Sequence, residues 1–284
     1  MRYATIQSQR RHYPIRMMCR LLDVSTSGFY AWLGRSQNRW QMRREALVPK
    51  IRKIHLEHRQ AYGSPRIHRE LQDQGESCCV HTVARIMREN KIQSKVTGRY
   101  RRTKQTVERT WIYPNVLERQ FNPAQADQVW ASDMTQISTH EGWLYLAIVM
   151  DLYSRKIIGW SMAHRMSDQL TIQALQSAID ARQPRRGLIH HSDQGSQYSS
   201  RAYQSVVKSN GMISSMSQKG NCYDNAVVES FFHTLKTEHA SFQRYKTRRE
   251  AKRDLFEWIE VYYNRKRRHS TLDYVSPAEY EMAA

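Results

Sequence analysis

The sequence predicts an α/β protein, a mixed β-sheet flanked by helices and preceded by small all-α modules. Three observations carry this prediction. Val129, Ala131, Asp133, Thr135 and Ile137 alternate with the two-residue period of a strand. Trp143–Met150 is a nearly unbroken apolar run of strand length, which fits a strand covered on both faces. Upstream, residues 1–119 show helical apolar spacing and carry 25 Lys and Arg against 9 Asp and Glu. Residues 120–240 instead balance at ten of each, and residues 241–284 carry ten against seven.

At 284 residues the chain can bury a sizeable core with one or two small domains beside it. No apolar run approaches the eighteen or so residues of a membrane span, and the N-terminus lacks an apolar signal segment, so a cytoplasmic, nucleoid-associated location is expected. The four cysteines form no CxxC pair, which favours reduced thiols over disulfides or zinc ligation. A net charge of +19, concentrated in the flanks, points to nucleic acid. A merely soluble basic protein or an RNA-associated one would share that charge without needing the acids of the middle region.

In chain order, residues 1–40 hold a first helix-turn-helix candidate. Ile15, Met18, Cys19 and Leu22 recur at helical spacing, and Ser25 is a suitable N-cap for a second helix burying Phe29, Tyr30 and Leu33. A purely structural helix pair fits the same pattern. Residues 41–94 form a second helical module. Leu47, Ile51 and Ile54 line one helix, Ser64-Pro65 opens another that stops near Gly75, and a third over residues 81–90 places Val83, Ile86 and Met87 on one face. Arg85 and Arg88 lie off that face and are expected to meet DNA phosphates rather than bases. Residues 95–121 read as a basic linker. Its Arg99, Arg101, Arg102 and Lys104 suit a DNA backbone, although a solvated connector has the same composition.

Residues 122–240 change character. Strands are predicted over 129–137, 143–150 and 156–162, then a helix opened by Ser167-Asp168, then a short strand over 187–191 running into Asp193, and further helices. Three meandering strands followed by a helix and a strand is the ribonuclease-H-like order. Residues 241–284 read as a C-terminal helical tail.

Three of the 26 acids stand out. Asp133 lies mid-strand among apolar residues, where an unpaired carboxylate costs several kcal/mol, so a proton or a metal must neutralise it. Asp193 lies just past a strand end, where ligand crevices of open sheets form. Glu229 borders the apolar arc of Val227, Val228, Phe231, Phe232 and Leu235, and falls at the wrong position for a capping box. Helix geometry alone leaves both a catalytic and a merely dipole-complementing role open for it. His233 and Lys236 share its stripe, and Lys236, about 10 Å along the helix, could hold a phosphate beside the acid. Asp151 reads as a turn residue, Asp168 and Asp224 as helix caps, and Glu238 as an exposed acid. His190 and His191 could touch metal or phosphate, or simply pack within the strand.

Trp130-Ala131-Ser132-Asp133-Met134-Thr135, His191-Ser192-Asp193-Gln194-Gly195-Ser196-Gln197-Tyr198 and Asp224-Asn225-Ala226 through Glu229-Ser230-Phe231-Phe232 resemble the DDE transposases of bacterial insertion sequences. The pattern is most similar to the second-reading-frame product (OrfB) of the "insertion sequence three" family, relatives of retroviral integrases. Asp193 and Glu229 are separated by 35 residues, Lys236 follows the acid by seven, and Tyr263-Asn264-Arg265, His269 and Ser276-Pro277 match the family's tail. The resemblance spans about residues 15–280. It implies cleavage and strand transfer at the terminal inverted repeats of an insertion sequence, with Asp133, Asp193 and Glu229 holding two Mg²⁺ or Mn²⁺ ions about 4 Å apart. It also implies double-stranded DNA, both element ends and target, as partner, a homo-oligomer on that DNA, and joining of the element ends into a circle. The His-His-Cys-Cys module of retroviral integrases is absent, so no zinc is expected. The family's usual active species is a fusion with an upstream-frame partner, so this chain, beginning at Met1, is expected to work poorly alone or to act as a modulator. Two other functions fit parts of the pattern: a non-enzymatic DNA-binding regulator and a nuclease without strand transfer.

Overall fold

A computed structural model describes residues 1–34, 39–96, 112–218 and 224–283, with side chains from residue 42 onward in the second segment. The N-terminal unit comprises α1 (Arg2–Gln9), α2 (Ile15–Leu21) and α3 (Thr26–Leu33). They pack around Ile6, Met18, Cys19 and Phe29. Ser25 caps α3 as expected, its hydroxyl accepting from the Gly28 N–H at 2.9 Å. Of the three residues expected to be buried from α3, only Phe29 is. Tyr30 and Leu33 are exposed, Tyr30 meeting Phe29 only edge-on, while Tyr3 and Trp32 also pack beside Phe29.

The second module has its own core. Leu47, Ile51 and Ile54 of α4 (Arg39–Glu57) meet Ile67 and Leu71 of α5 (Ser64–Asp73) and Val83, Ile86 and Met87 of α6 (Val80–Glu89). Ser64 is not the cap of α5. Gly63 holds that position without a side-chain bond, and Pro65 sits in the first turn, where its missing N–H costs nothing. Gly75 ends the helix with φ +81°, a conformation that suits glycine.

The central sheet has five strands, β1 (Val129–Thr139), β2 (Gly142–Asp151), β3 (Ile157–Ala163), β4 (Ile189–Ser192) and β5 (Ile213–Met216), in the order β3-β2-β1-β4-β5. The first three form an antiparallel meander, and β4 and β5 add in parallel. This is the ribonuclease-H-like arrangement. The fifth strand was not expected. Its sequence, Ile-Ser-Ser-Met, is short and half polar, and it becomes a strand only by pairing with β4.

The two faces have separate cores. Trp130, Ala147, Val149 and Ile158 pack against α7 (Asp168–Arg182) and α8 (Arg201–Ser209). On the other face Val129, Ala131 and Ile137 join Leu144, Leu146, Ile148 and Met150, covered by Val228, Phe231, Phe232 and Leu235 of α9 (Ala226–Glu238). β2 therefore contributes to both cores, as its unbroken apolar run requires. α7 lies directly on β3: a Cβ on Gly159 would fall 2.3 Å from the Ala174 carbonyl oxygen.

The C-terminal residues complete the second of these cores. α10 (Arg248–Glu257) contributes Ala251 and Leu255, and its continuation as a π-helix contributes Trp258, Ile259, Tyr262 and Tyr263. Asn264 extends the edge of β3 by pairing with Ile157 in both directions, each bond 2.9 Å. Ser276 and Glu279 form a reciprocal capping box on α11 (Pro277–Met282). No helix among the described residues is long and apolar enough to cross a membrane.

Candidate active site

Ser132 of β1 and Ser192 of β4 are partners in the parallel pairing, so Asp133, within β1, and Asp193, just past the end of β4, fall at one level of adjacent strands. Each carboxylate is held by local backbone. Asp133 Oδ1 accepts from the Met134 N–H at 2.7 Å, and Asp193 Oδ1 accepts from the Gly195 N–H at 2.9 Å, closing the turn after β4. Asp133 is 7% exposed, and Asp193 is half-buried.

Tyr198 follows the turn that Asp193 opens and packs in the core with Trp130 and Tyr203. Its hydroxyl is buried and has no hydrogen-bond partner among the described residues. Burial, then Tyr203, Asp133 and Asp193 in turn push its ionisation well above that of an ordinary phenol. Sequence reasoning treated Tyr198 only as part of a motif. Nothing local distinguishes it from an ordinary buried tyrosine.

Asp133 shares strand parity with Val129, Ala131 and Ile137, placing it on the sheet face that α9 covers. The N-cap of α9 reaches the same spot: Asn225 Nδ2 donates to the Ser132 carbonyl at 3.4 Å. Glu229 lies one turn on, its N–H bonded to the Asn225 carbonyl at 3.1 Å, and is half-buried. The fold therefore brings Asp133 and Asp193 to adjacent positions and carries Glu229 over the same face. Among the described residues no group of three His, Cys, Asp or Glu side chains is arranged to hold a metal ion. Two hard carboxylates at one level of adjacent strands are a donor set that fits Mg²⁺ or Mn²⁺. Lys236 is half-buried two turns beyond Glu229, and His233 is exposed.

Other acids have structural work. Asp224 does not cap α9 with its side chain; it accepts from Arg119 Nε and the Gln218 N–H, both at 2.9 Å. Asp151 is a turn residue, accepting from the Asp127 and Tyr153 N–H groups at 2.8 Å each. Glu238 is not exposed. It is 4% accessible and takes a bidentate pair from Arg267 at 2.6 and 2.7 Å, with Arg66 of α5 at 3.3 Å. Helical periodicity cannot show a partner 29 residues away. His190 and His191 are strand-packing residues bonded to Ser132, Tyr203 and Ser215, and burial drives their protonation down to about 3 and about 4.

Of the residues expected to contact DNA, Arg85 and Arg88 are exposed on α6. Arg99, Arg101, Arg102 and Lys104 lie outside the described residues. The helical module meets the core through charged groups. Arg268 bonds Glu70 and Asp73, and the Arg268 N–H donates to the Tyr62 hydroxyl at 2.8 Å.

Comparison with known proteins agrees with this architecture. Residues 123–222 and 210–277 match two models described as an integrase core domain, and residues 42–100 match an HTH-like domain. The chain is 40% identical to the insertion element IS600 31 kDa protein of Shigella sonnei, covering 93% of this chain and 97% of that one. It is 39% identical to transposase InsF for insertion sequence IS3A of Escherichia coli, covering 99% of this chain and 98% of that one. Among solved structures it is similar to a simian T-cell lymphotropic virus intasome, at 14% identity and TM-score 0.47, covering 81% of this chain and 73% of that one. With an integrase core and near-complete coverage of these relatives, the chain belongs to the transposases of the IS3 family.

Proposed function

We propose that this transposase cleaves DNA at the ends of an insertion sequence and joins the freed end to a new phosphodiester, in a centre formed by Asp133, Asp193 and Glu229. The observation that carries it is the placement of Asp133 and Asp193 at one level of adjacent strands, with α9 anchored beside them by Asn225. The three carboxylates would hold the divalent ions, Mg²⁺ or Mn²⁺, which when bound activate the attacking oxygen and stabilise the leaving one.

The chain's own residues supply position and charge. The backbone bonds to Asp133 and Asp193 fix their carboxylates before substrate arrives, which lowers the ordering cost of binding. Lys236, two turns along α9 from Glu229, suits a phosphate flanking the reacting one. The exposed Arg85 and Arg88 suit sequence-independent backbone contacts, and the helical modules would bring the terminal repeats to the core. Two reacting ends call for at least two copies on DNA, and an upstream-frame partner would add end recognition.

A labelled element-end duplex incubated with the full chain and Mg²⁺ tests this. Joined product supports strand transfer; nicks without any joined product would leave a nuclease, and binding without nicks a regulator.

A further inference from the structure

A cleft beside the start of α10 has a composition that the catalytic centre does not explain. It has a volume of about 400 Å³ and is lined by His164, Arg248, Arg249 and Lys252. Arg249 and Lys252 are exposed on the first turns of α10, whose N-terminal end adds partial positive charge.

Arg248 is fixed rather than free. Its N–H donates to Glu141 at 2.8 Å and its Nε to the Trp143 carbonyl at 3.0 Å. Its guanidinium lies against Gly142, where a Cβ would fall 2.9 Å from Nη2 and where φ is +102°. The nearby acids, Glu141 and Glu250, accept from the backbone N–H groups of Arg248 and Lys246, leaving the cationic heads of Arg249 and Lys252 toward solvent.

The position also matters. Asp133 pairs with Ile148, which pairs with Trp160, and His164 lies four residues beyond Trp160 along β3. β3 runs in the same sense as β1, so the cleft opens at the end of the sheet toward which Asp193 points. α10 packs on the face that carries Asp133 and α9. Strand geometry puts His164, at the near edge of the cleft, roughly 16 Å from Asp133. At 3.4 Å per nucleotide along a strand, that is about five base pairs of duplex.

We propose that this cleft is a DNA-backbone site, gripping phosphodiesters of the duplex about five base pairs from the bond being cut. The assignment of the cleft to DNA backbone rests on the DNA-acting reading of the chain and not on the three acids; only the five-base-pair distance takes Asp133 as the cutting centre. Its contacts are electrostatic and sequence-independent, and they hold the duplex in line with the centre.

The test compares two exposed charge-reversal pairs in the full chain, Arg249→Glu with Lys252→Glu in the cleft, and Arg201→Glu with Lys208→Glu on α8 at the opposite face. Both change net charge equally. Binding of a fluorescein-labelled duplex of unrelated sequence is followed by anisotropy across a salt series without divalent ions, so an error in the catalytic assignment leaves the readout unaffected. The cleft pair is expected to reduce the slope of log affinity against log salt by about two, at about 0.9 for each phosphate that is no longer neutralised, and the α8 pair by less than half as much. Equal slopes for the two pairs would overturn the proposal.

Discussion

Glu238 and Arg267 form a buried bidentate ion pair, 2.6 and 2.7 Å, between the last turn of α9 and the segment after the π-helix. Both side chains are more than nine-tenths buried, and Arg66 of α5 joins them from the helical module. The helix that carries Glu229 at its start is therefore tied at its end to both the C-terminal region and the DNA-binding module.

Glu238→Gln should destabilise the protein by about 3–5 kcal/mol, because it leaves the Arg267 guanidinium buried without its counter-charge. Arg66→Ala, which removes the longer and more accessible contact, should cost about 1 kcal/mol. Urea denaturation of the two variants checks the ranking. Similar costs would mean that the pair is not the structural anchor.

Gly159→Ala should destabilise more than its size suggests. The added methyl would meet the Ala174 carbonyl at 2.3 Å and the Ala178 N–H at 2.6 Å, both helix backbone that cannot rotate away. Separating β3 from α7 should cost at least about 1–3 kcal/mol. A melting temperature within a degree of the wild type would contradict the close contact.

Asp151 predicts a pH dependence of its own. Burial lifts its carboxyl from 3.8 to about 6, against the opposing hydrogen bonds from Asp127 and Tyr153. The folded state then binds more protons than the unfolded state between those values, so this group's contribution falls as pH rises through the window, by about 3 kcal/mol. Glu70 acts in the opposite sense at lower pH: burial raises it, but His58 and Arg268 more than offset that and hold it at about 2, so its contribution is lost as pH falls below 4.5. Asp151→Asn should remove the decline between pH 4 and 6, measured by denaturant midpoint. An unchanged pH profile would rule out the raised carboxyl.

Much of the fold was legible because its signals are local. The parity of Val129–Ile137, the two-faced run in β2 and Gly75 at a helix end each depend on a few neighbouring residues. Errors arose where the deciding partner is distant in sequence. β5 takes its state from β4, and Glu238 takes its burial from Arg267. The site divides the same way. Strand order brings Asp133 and Asp193 together, whereas the approach of Glu229 depends on how α9 is set across the sheet, which no spacing in the sequence specifies.

The most direct measurement is strand transfer by Asp133→Asn, Asp193→Asn and Glu229→Gln on a labelled element-end duplex with Mg²⁺, alongside DNA binding by each variant. Each substitution keeps the side chain's shape and removes one charge, so each should lower joining at least about a thousandfold, the scale of losing a transition-state charge stabiliser, while duplex affinity stays within about twofold of the wild type. Undiminished Mg²⁺-dependent joining by any one variant would remove that residue from the centre, and undiminished joining by all three would contradict the account.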